Sequence, residues 1–280
     1  MLLASALFAA LFAAAPIASM TEDQLDQKLA STSKMLDEGQ KIDTLSQLFV
    51  GLPYVEYPLG EGGAGPEPQP RWRLDGVDCQ TFVETVLALA NAKTTSHAKK
   101  ILDDIRYGKE NISFAARNHF TEAQWLPMNL AKGYLDDEVP TIDGNAPGTD
   151  LVLKKSSWSK VPGFDRLAAA DIPDGKFPVR YLPIAEFKKK IGSVQNGSII
   201  LVVRKFDPKR VVRTSHMGFM LRNAHGVIVR HATSGPEHKV IDEPLDAYLK
   251  RMTGFKKWPV VGFGLVMPLD AKVRASQIQP

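Results

Sequence analysis

Apolar and polar residues divide the chain into a helical first third and a strand-rich last third. Leu25, Leu29, Met35, Leu36, Ile42, Leu45 and Leu48 recur at roughly helical spacing, which predicts helix across 21–50. The pattern is clearest from 78 to about 93. There Phe82, Val86 and Leu89 line one face, Val83, Leu87 and Ala90 widen it, and no Gly or Pro interrupts. Such a helix is buried around much of its circumference. Residues 97–107 predict another helix, ending near Tyr107-Gly108. In the last third, 198–204, 215–222, 226–233 and 260–266 are runs of β-branched or apolar residues bounded by turn formers, and predict strands. The stretch 60–70 is rich in Gly and Pro and predicts a loop, and 110–195 predicts loops with short elements. Helices followed by an antiparallel sheet is the α+β order, not an alternating βαβ one.

Composition changes this picture little. The chain has 280 residues, 44% hydrophobic and 24% charged, enough to bury a core without a metal or a disulfide. Its single cysteine excludes an internal disulfide. The formal charge of +4 is spread along the chain. Its densest groups are Lys188-Lys189-Lys190, expected on the wet face of a short helix, and Arg204, Lys205, Lys209 and Arg210, expected in a loop around Pro208. No basic stripe interleaves with aromatics, so nucleic acid is not an expected partner, whereas anionic envelope polymers fit the charge.

The first nineteen residues carry no charged side chain. Their apolar run has the length of a signal-peptide core and is short for a membrane span. The expectation is a signal peptide over 1–19 cut after Ser19, a helical segment over 20–45, a catalytic domain over 46–270 and a tail over 271–280. No cysteine stands at the cut to carry a lipid anchor, so a periplasmic or secreted protein is expected, with no stable membrane span after cleavage.

The lone cysteine opens the chemistry. A free cysteine is most often a small buried hydrophobe. Asp78, however, is a good N-cap, which puts Cys79 at the first position of the best-defined helix. The helix dipole and the unpaired backbone N–H groups there favour the thiolate and suit an oxyanion. Of six histidines, His216 and His231 lie on predicted strands joined at Asn223-Ala224-His225-Gly226. With the turn centred on Ala224-His225, both imidazoles fall on one face as diagonal neighbours, with backbones about 7–8 Å apart. A loop one residue longer or shorter would put them on opposite faces. Together the three residues suit a nucleophile, a base and an orienting group. His119 is a rival for the third role. Arg117 can pair with a carboxylate, and Asn118 and His119 can read hydroxyls or amides; all three equally suit loop stabilisation. Tyr54 and Asp78 are further candidates for substrate contact. The paired spacing of a zinc site and the elbow of a serine hydrolase are both missing, so no metal or cofactor is expected.

Asp78-Cys79-Gln80-Thr81-Phe82-Val83-Glu84, then Ser215-His216-Met217-Gly218, then His231-Ala232-Thr233-Ser234 resembles the NlpC-type cysteine peptidases of the papain-like clan. The nearer resemblance is to their N-acetylmuramoyl-L-alanine amidase-like family. It is carried also by Phe49-Val50-Gly51-Leu52-Pro53-Tyr54, Ile105-Arg106-Tyr107-Gly108 and Arg117-Asn118-His119-Phe120 with Trp125 following. Thr233 stands where a serine is usual, and Thr121-Glu122-Ala123-Gln124 sets Trp125 further along than the pattern has it. The resemblance implies a papain-like α+β fold, with a helix-borne Cys79 packed on an antiparallel sheet that carries the histidines. Cys79 would be nucleophile, His216 base and His231 the orienting residue, with Tyr54, Asp78, Arg117, Asn118, His119 and Trp125 around the substrate. The bond cut would join N-acetylmuramic acid, its anhydro form included, to L-alanine in peptidoglycan fragments, through a thioester acyl-enzyme. The alternatives are a γ-D-glutamyl endopeptidase and a non-catalytic envelope-binding protein.

Overall fold

The computed structural model describes residues 16–278 except 64–65, 110, 155 and 157–163. The expected helix over 21–50 is two helices, α1 (Glu22–Thr32) and α2 (Glu38–Gln47). Thr21 and Gln24 close a capping box on α1, and Asp37 caps α2 by accepting from the Gln40 N–H at 2.9 Å. The break between them leaves Leu36 99% exposed, so this leucine belongs to no apolar face. Most of the expected signal peptide lies outside the described residues. Its end does not: Ile17 is buried at 1% exposure and its N–H donates to the Leu48 carbonyl at 2.8 Å.

Helix α3 (Cys79–Ala90) starts at Asp78, whose carboxylate accepts from the Thr81 N–H at 2.8 Å while Thr81 Oγ1 accepts from the Asp78 N–H at 3.0 Å. From Thr81 to Ala90 every residue is buried. Phe82 sits between Phe49 and Phe219, edge to face with each at 5.5 Å. Helix α4 (Thr95–Arg106) packs beside it.

The strands are β1 (Leu135–Asp137), β2 (Gly148–Leu153), β3 (Gly175–Arg180), β4 (Leu182–Pro183), β5 (Ile199–Arg204), β6 (Thr214–Asn223), β7 (Gly226–Ala232), β8 (Val240–Pro244) and β9 (Val260–Pro268). The main sheet runs β1-β9-β5-β6-β7-β8, with β4 also on β9, and every pairing is antiparallel. A separate hairpin, β2 with β3, forms part of the poorly patterned middle third. Side chains alternate across the main sheet as the two-residue period requires. Ile199, Leu201, Met217, Phe219 and Ile228 face α1 to α4. Ile200, Val202, Met220 and Val229 face a second layer built on Phe187, Tyr248, Leu249 and Met252. Buried on both faces, β5 reads as an unbroken apolar run. The mixed α+β order therefore holds. Arg204, expected in a loop, instead ends β5 and is buried, bonded to Ser215 Oγ and the Trp258 carbonyl at 2.7 Å each.

Two buried guanidiniums cross-link neighbouring elements. Arg106 of α4 meets Glu84 of α3 at 2.7 Å. Arg230 of β7 binds Asp242 of β8, and Asp43, Ser46 and Gln47 of α2. Removing one partner of a buried pair strands the other charge, which costs about 3–5 kcal/mol. Glu84→Ala is therefore expected to lower unfolding free energy in urea by about that much, and Glu84→Leu with Arg106→Leu by clearly less.

Candidate functional site

Cys79 stands at the first turn of α3, where α3 packs on β6. The helix end alone would favour its thiolate, but two opposing effects are larger. Burial, then the charge of Asp78, push the thiol up to about 12, while the N–H groups of Met217, Gln80 and Cys79 itself face the sulfur and pull the other way. The resting thiol thus keeps its proton, against the expectation from the helix dipole. Met217 follows His216 directly, so the sulfur and that imidazole are set by adjacent residues of β6.

The β6–β7 turn has the register the sequence suggested. Asn223 pairs with Gly226, Arg222 with Val227 and Phe219 with Arg230. Asn223 Oδ1 accepts from the His225 N–H at 2.8 Å, and Gly226 takes a φ of +118°, which a side chain would resist. Continued inward, the register puts Gly218 against His231. A Cβ on Gly218 would come within 2.6 Å of His231 Cβ, so only glycine lets the strands close there. His216 Nε2 and His231 Nδ1 are then 3.0 Å apart, with the rings edge to face.

Behind this pair stand three residues that the sequence did not single out. They are Glu243 of β8, and Tyr248 and Arg251 of the helix Leu245–Thr253. Glu243 Oε2 lies 3.1 Å from His231 Nε2, and Arg251 grips both oxygens of Glu243. The Tyr248 ring packs 5.3 Å from that of His231 and 6.2 Å from that of His216. Its hydroxyl is buried without a hydrogen-bond partner. Burial holds His216 well below the ordinary histidine range, reinforced by His231, Arg251 and Arg204. Burial and Arg251 bring His231 down to about 4 against the pull of Glu243. At neutral pH both rings are uncharged. A hydrogen bond joins the imidazoles to each other, while none joins the thiol to either.

The remaining candidates divide. Asp78 caps α3 and, with Gln80, lines a groove of about 350 Å³ whose far wall carries Arg117, Asn118 and His119. Arg117 is occupied within the chain, by Glu67 at 2.6 Å and Glu61 at 3.3 Å. Asn118 is buried and donates to the Ile105 carbonyl. His119 donates through Nε2 to the Phe114 carbonyl at 2.6 Å and stacks on Phe114 and Phe164, with burial lowering it to about 3. The residue bonded to His216 is thus His231 and not His119. Tyr54 packs against His238 at 5.3 Å, and burial, then the nearby Cys79 and Asp78, raise its phenol. Trp125 is fully buried in the core. The extra residues before it form a π-turn, in which the Trp125 N–H reaches back to the Phe120 carbonyl at 2.9 Å. A larger cleft of about 490 Å³ beyond Asn118 contains none of Cys79, His216 and His231. Among the described residues, no group of three or more His, Cys, Asp or Glu is placed to hold a metal ion.

No curated protein matches the sequence. Solved structures do. A Legionella pneumophila protein is 25% identical, with 89% of this chain and 95% of that one aligned and a TM-score of 0.75. An N-acetylmuramoyl-L-alanine amidase from Bacteroides uniformis is 23% identical over 82% of this chain and 98% of its own, with a TM-score of 0.66. At that identity the second likeness speaks for the fold alone. The sequence model of the AmiA-like, N-acetylmuramoyl-L-alanine amidase-like family matches residues 44–255. That span takes in Cys79, both histidines, Glu243 and Arg251, and the chain belongs to this N-acetylmuramoyl-L-alanine amidase-like family.

Proposed function

We propose that the protein is a cysteine-dependent N-acetylmuramoyl-L-alanine amidase with a papain-like, NlpC-type site, acting on peptidoglycan fragments outside the cytoplasm. One observation carries the reading: in a chain of this family, a cysteine at a helix N-terminus meets a strand whose histidine is hydrogen-bonded to a second histidine. The apolar leader supports action beyond the membrane after export.

The neutral resting state shapes the mechanism. Cys79 Sγ gives its proton to His216 as it attacks the lactyl carbonyl carbon, so the thiolate appears only while the C–S bond forms. His216 Nε2 is engaged with His231, which leaves Nδ1 as the accepting nitrogen. Backbone N–H groups at the start of α3 receive the oxyanion. The carbon–nitrogen bond then breaks, His216 returns the proton to the amine of L-alanine, and a muramoyl thioester remains. Water, deprotonated by His216, attacks the thioester; the muramic acid carboxyl is released and the thiol re-forms. His231 orients His216 and spreads the charge it acquires.

Mass spectrometry of a muropeptide mixture, with both reducing and anhydro sugars, tests the reading. Free peptide and free amino sugar are expected from the wild type and neither from Cys79→Ala. Shortened peptides still bound to sugar would establish the endopeptidase instead, and turnover by Cys79→Ala would remove the mechanism. His216→Ala is expected to lose at least about 1,000-fold in kcat, and His231→Ala less, as orienting residues do. The proton inventory gives a separate expectation for the free enzyme. With the thiol raised by burial, its alkylation by iodoacetamide should keep accelerating above pH 9 and show no plateau below pH 7.

A further inference from the structure

The two-histidine arrangement leaves a question that distances alone do not answer: which nitrogen of His216 is free to take a proton. A 3.0 Å bond between two neutral imidazoles can run in either direction. Run one way, His216 presents a lone pair to the thiol. Run the other way, it presents an N–H and is useless as a base. We propose that Glu243 is a positioning residue that sets this direction, with Arg251 as the donor that would reverse it if Glu243 were absent. The inference rests on the reading of Cys79 and His216 as nucleophile and base.

An ionised carboxylate only accepts hydrogen bonds, and Glu243 is ionised: burial works to raise it, but the bonds and charge of Arg251 outweigh burial and hold it below its ordinary range. The ring nitrogen facing it, His231 Nε2 at 3.1 Å, must then carry the hydrogen. A neutral ring with its hydrogen on Nε2 has its lone pair on Nδ1, which obliges His216 to donate through Nε2. The lone pair of His216 is therefore on Nδ1, the nitrogen left for the thiol proton.

Arg251 makes the carboxylate indispensable. Its Nη2 also lies 3.2 Å from His231 Nε2, and a guanidinium has hydrogens to give and no lone pair. Paired with it, His231 would carry its hydrogen on Nδ1 and donate to His216, whose own hydrogen would move to Nδ1 and block the base. In the structure that guanidinium nitrogen is committed to Glu243 Oε2 at 2.5 Å. The other groups around the pair do not set the direction. Tyr248 offers each imidazole its ring, and Arg204 of β5 acts on His216 only through its charge.

Nitrogen-15 NMR of the imidazoles in the full-length protein at neutral pH reads the tautomers directly. Nε2–H is expected on both His216 and His231; Nδ1–H on His231 in the wild type would overturn the proposal without any variant. Glu243→Ala should move the hydrogen of His231 to Nδ1. It should lower kcat on an N-acetylmuramoyl-L-alanyl peptide by about 100-fold and leave KM within about two-fold. Loss of a carboxylate that fixes the base itself costs on the order of 10⁴, and here it lies one residue further away. The discriminating variant is Glu243→Ala combined with Arg251→Ala. With the competing donor gone, about ten-fold of the lost kcat should return. A double variant as slow as the single one, or slower, would make the pair a structural brace and overturn the proposal. A wild type that turns over no muropeptide would sink the amidase reading instead, and the NMR spectrum would still decide this one.

Discussion

The site depends on one geometric constraint, the pairing register of β6 with β7. Strand side chains alternate with a period of two, so a slip of one residue would send His216 and His231 to opposite faces of the sheet. The register is held from both ends. At the turn, the Asn223 carboxamide and the positive φ of Gly226 fix which residues are central. Near the site, Gly218 admits the close approach of His231 that no larger residue would permit. Between these points Met220, Leu221, Ile228 and Val229 bury their side chains alternately in the two layers, and a slip would turn one strand's set into the wrong layer.

Arg230, next to His231 in sequence, points to the opposite layer. Its guanidinium is shared among β8 and α2, so the strand that carries one histidine is bolted to the N-terminal helices. The same strand is paired on its other edge with β8, where His231 stands opposite Ile241 and Arg230 opposite Asp242. A strand held through both faces and both edges has little freedom to rotate its side chains. The place of the imidazole pair is thus set by residues packed behind and beside it.

Much of this was legible in the sequence, and the legible part shares a property. α3 and the β6–β7 hairpin are long, strongly periodic and bounded by residues with a specific terminal chemistry: Asp78 at one, Asn223 and Gly226 at the other. What was missed lacks that property. Glu243 sits in a five-residue strand reached through the irregular stretch 233–239, and Arg251 reaches back to it from the last turn of the helix that follows. Their meeting at His231 is a fact of tertiary structure with no local mark. Leu36 misled because its spacing fits a helix, while Asp37 immediately after it is the stronger signal, a cap that starts a new one. Trp125 differs in the other sense: the resemblance set it around the substrate, yet after the π-turn the ring lies wholly inside.

The protonated state of Cys79 has a bearing on durability. Peroxide and other oxidants attack the thiolate, and a cysteine already ionised at rest drifts toward sulfenic and sulfinic acid whenever it idles. Here the sole sulfhydryl of the chain is kept as the inert acid by burial and by the carboxylate beside it. No second cysteine is present to rescue an oxidised one by forming a disulfide. The same desolvation that withholds nucleophilicity from the resting sulfur acts as an antioxidant, and it guards the one sulfhydryl this chain has.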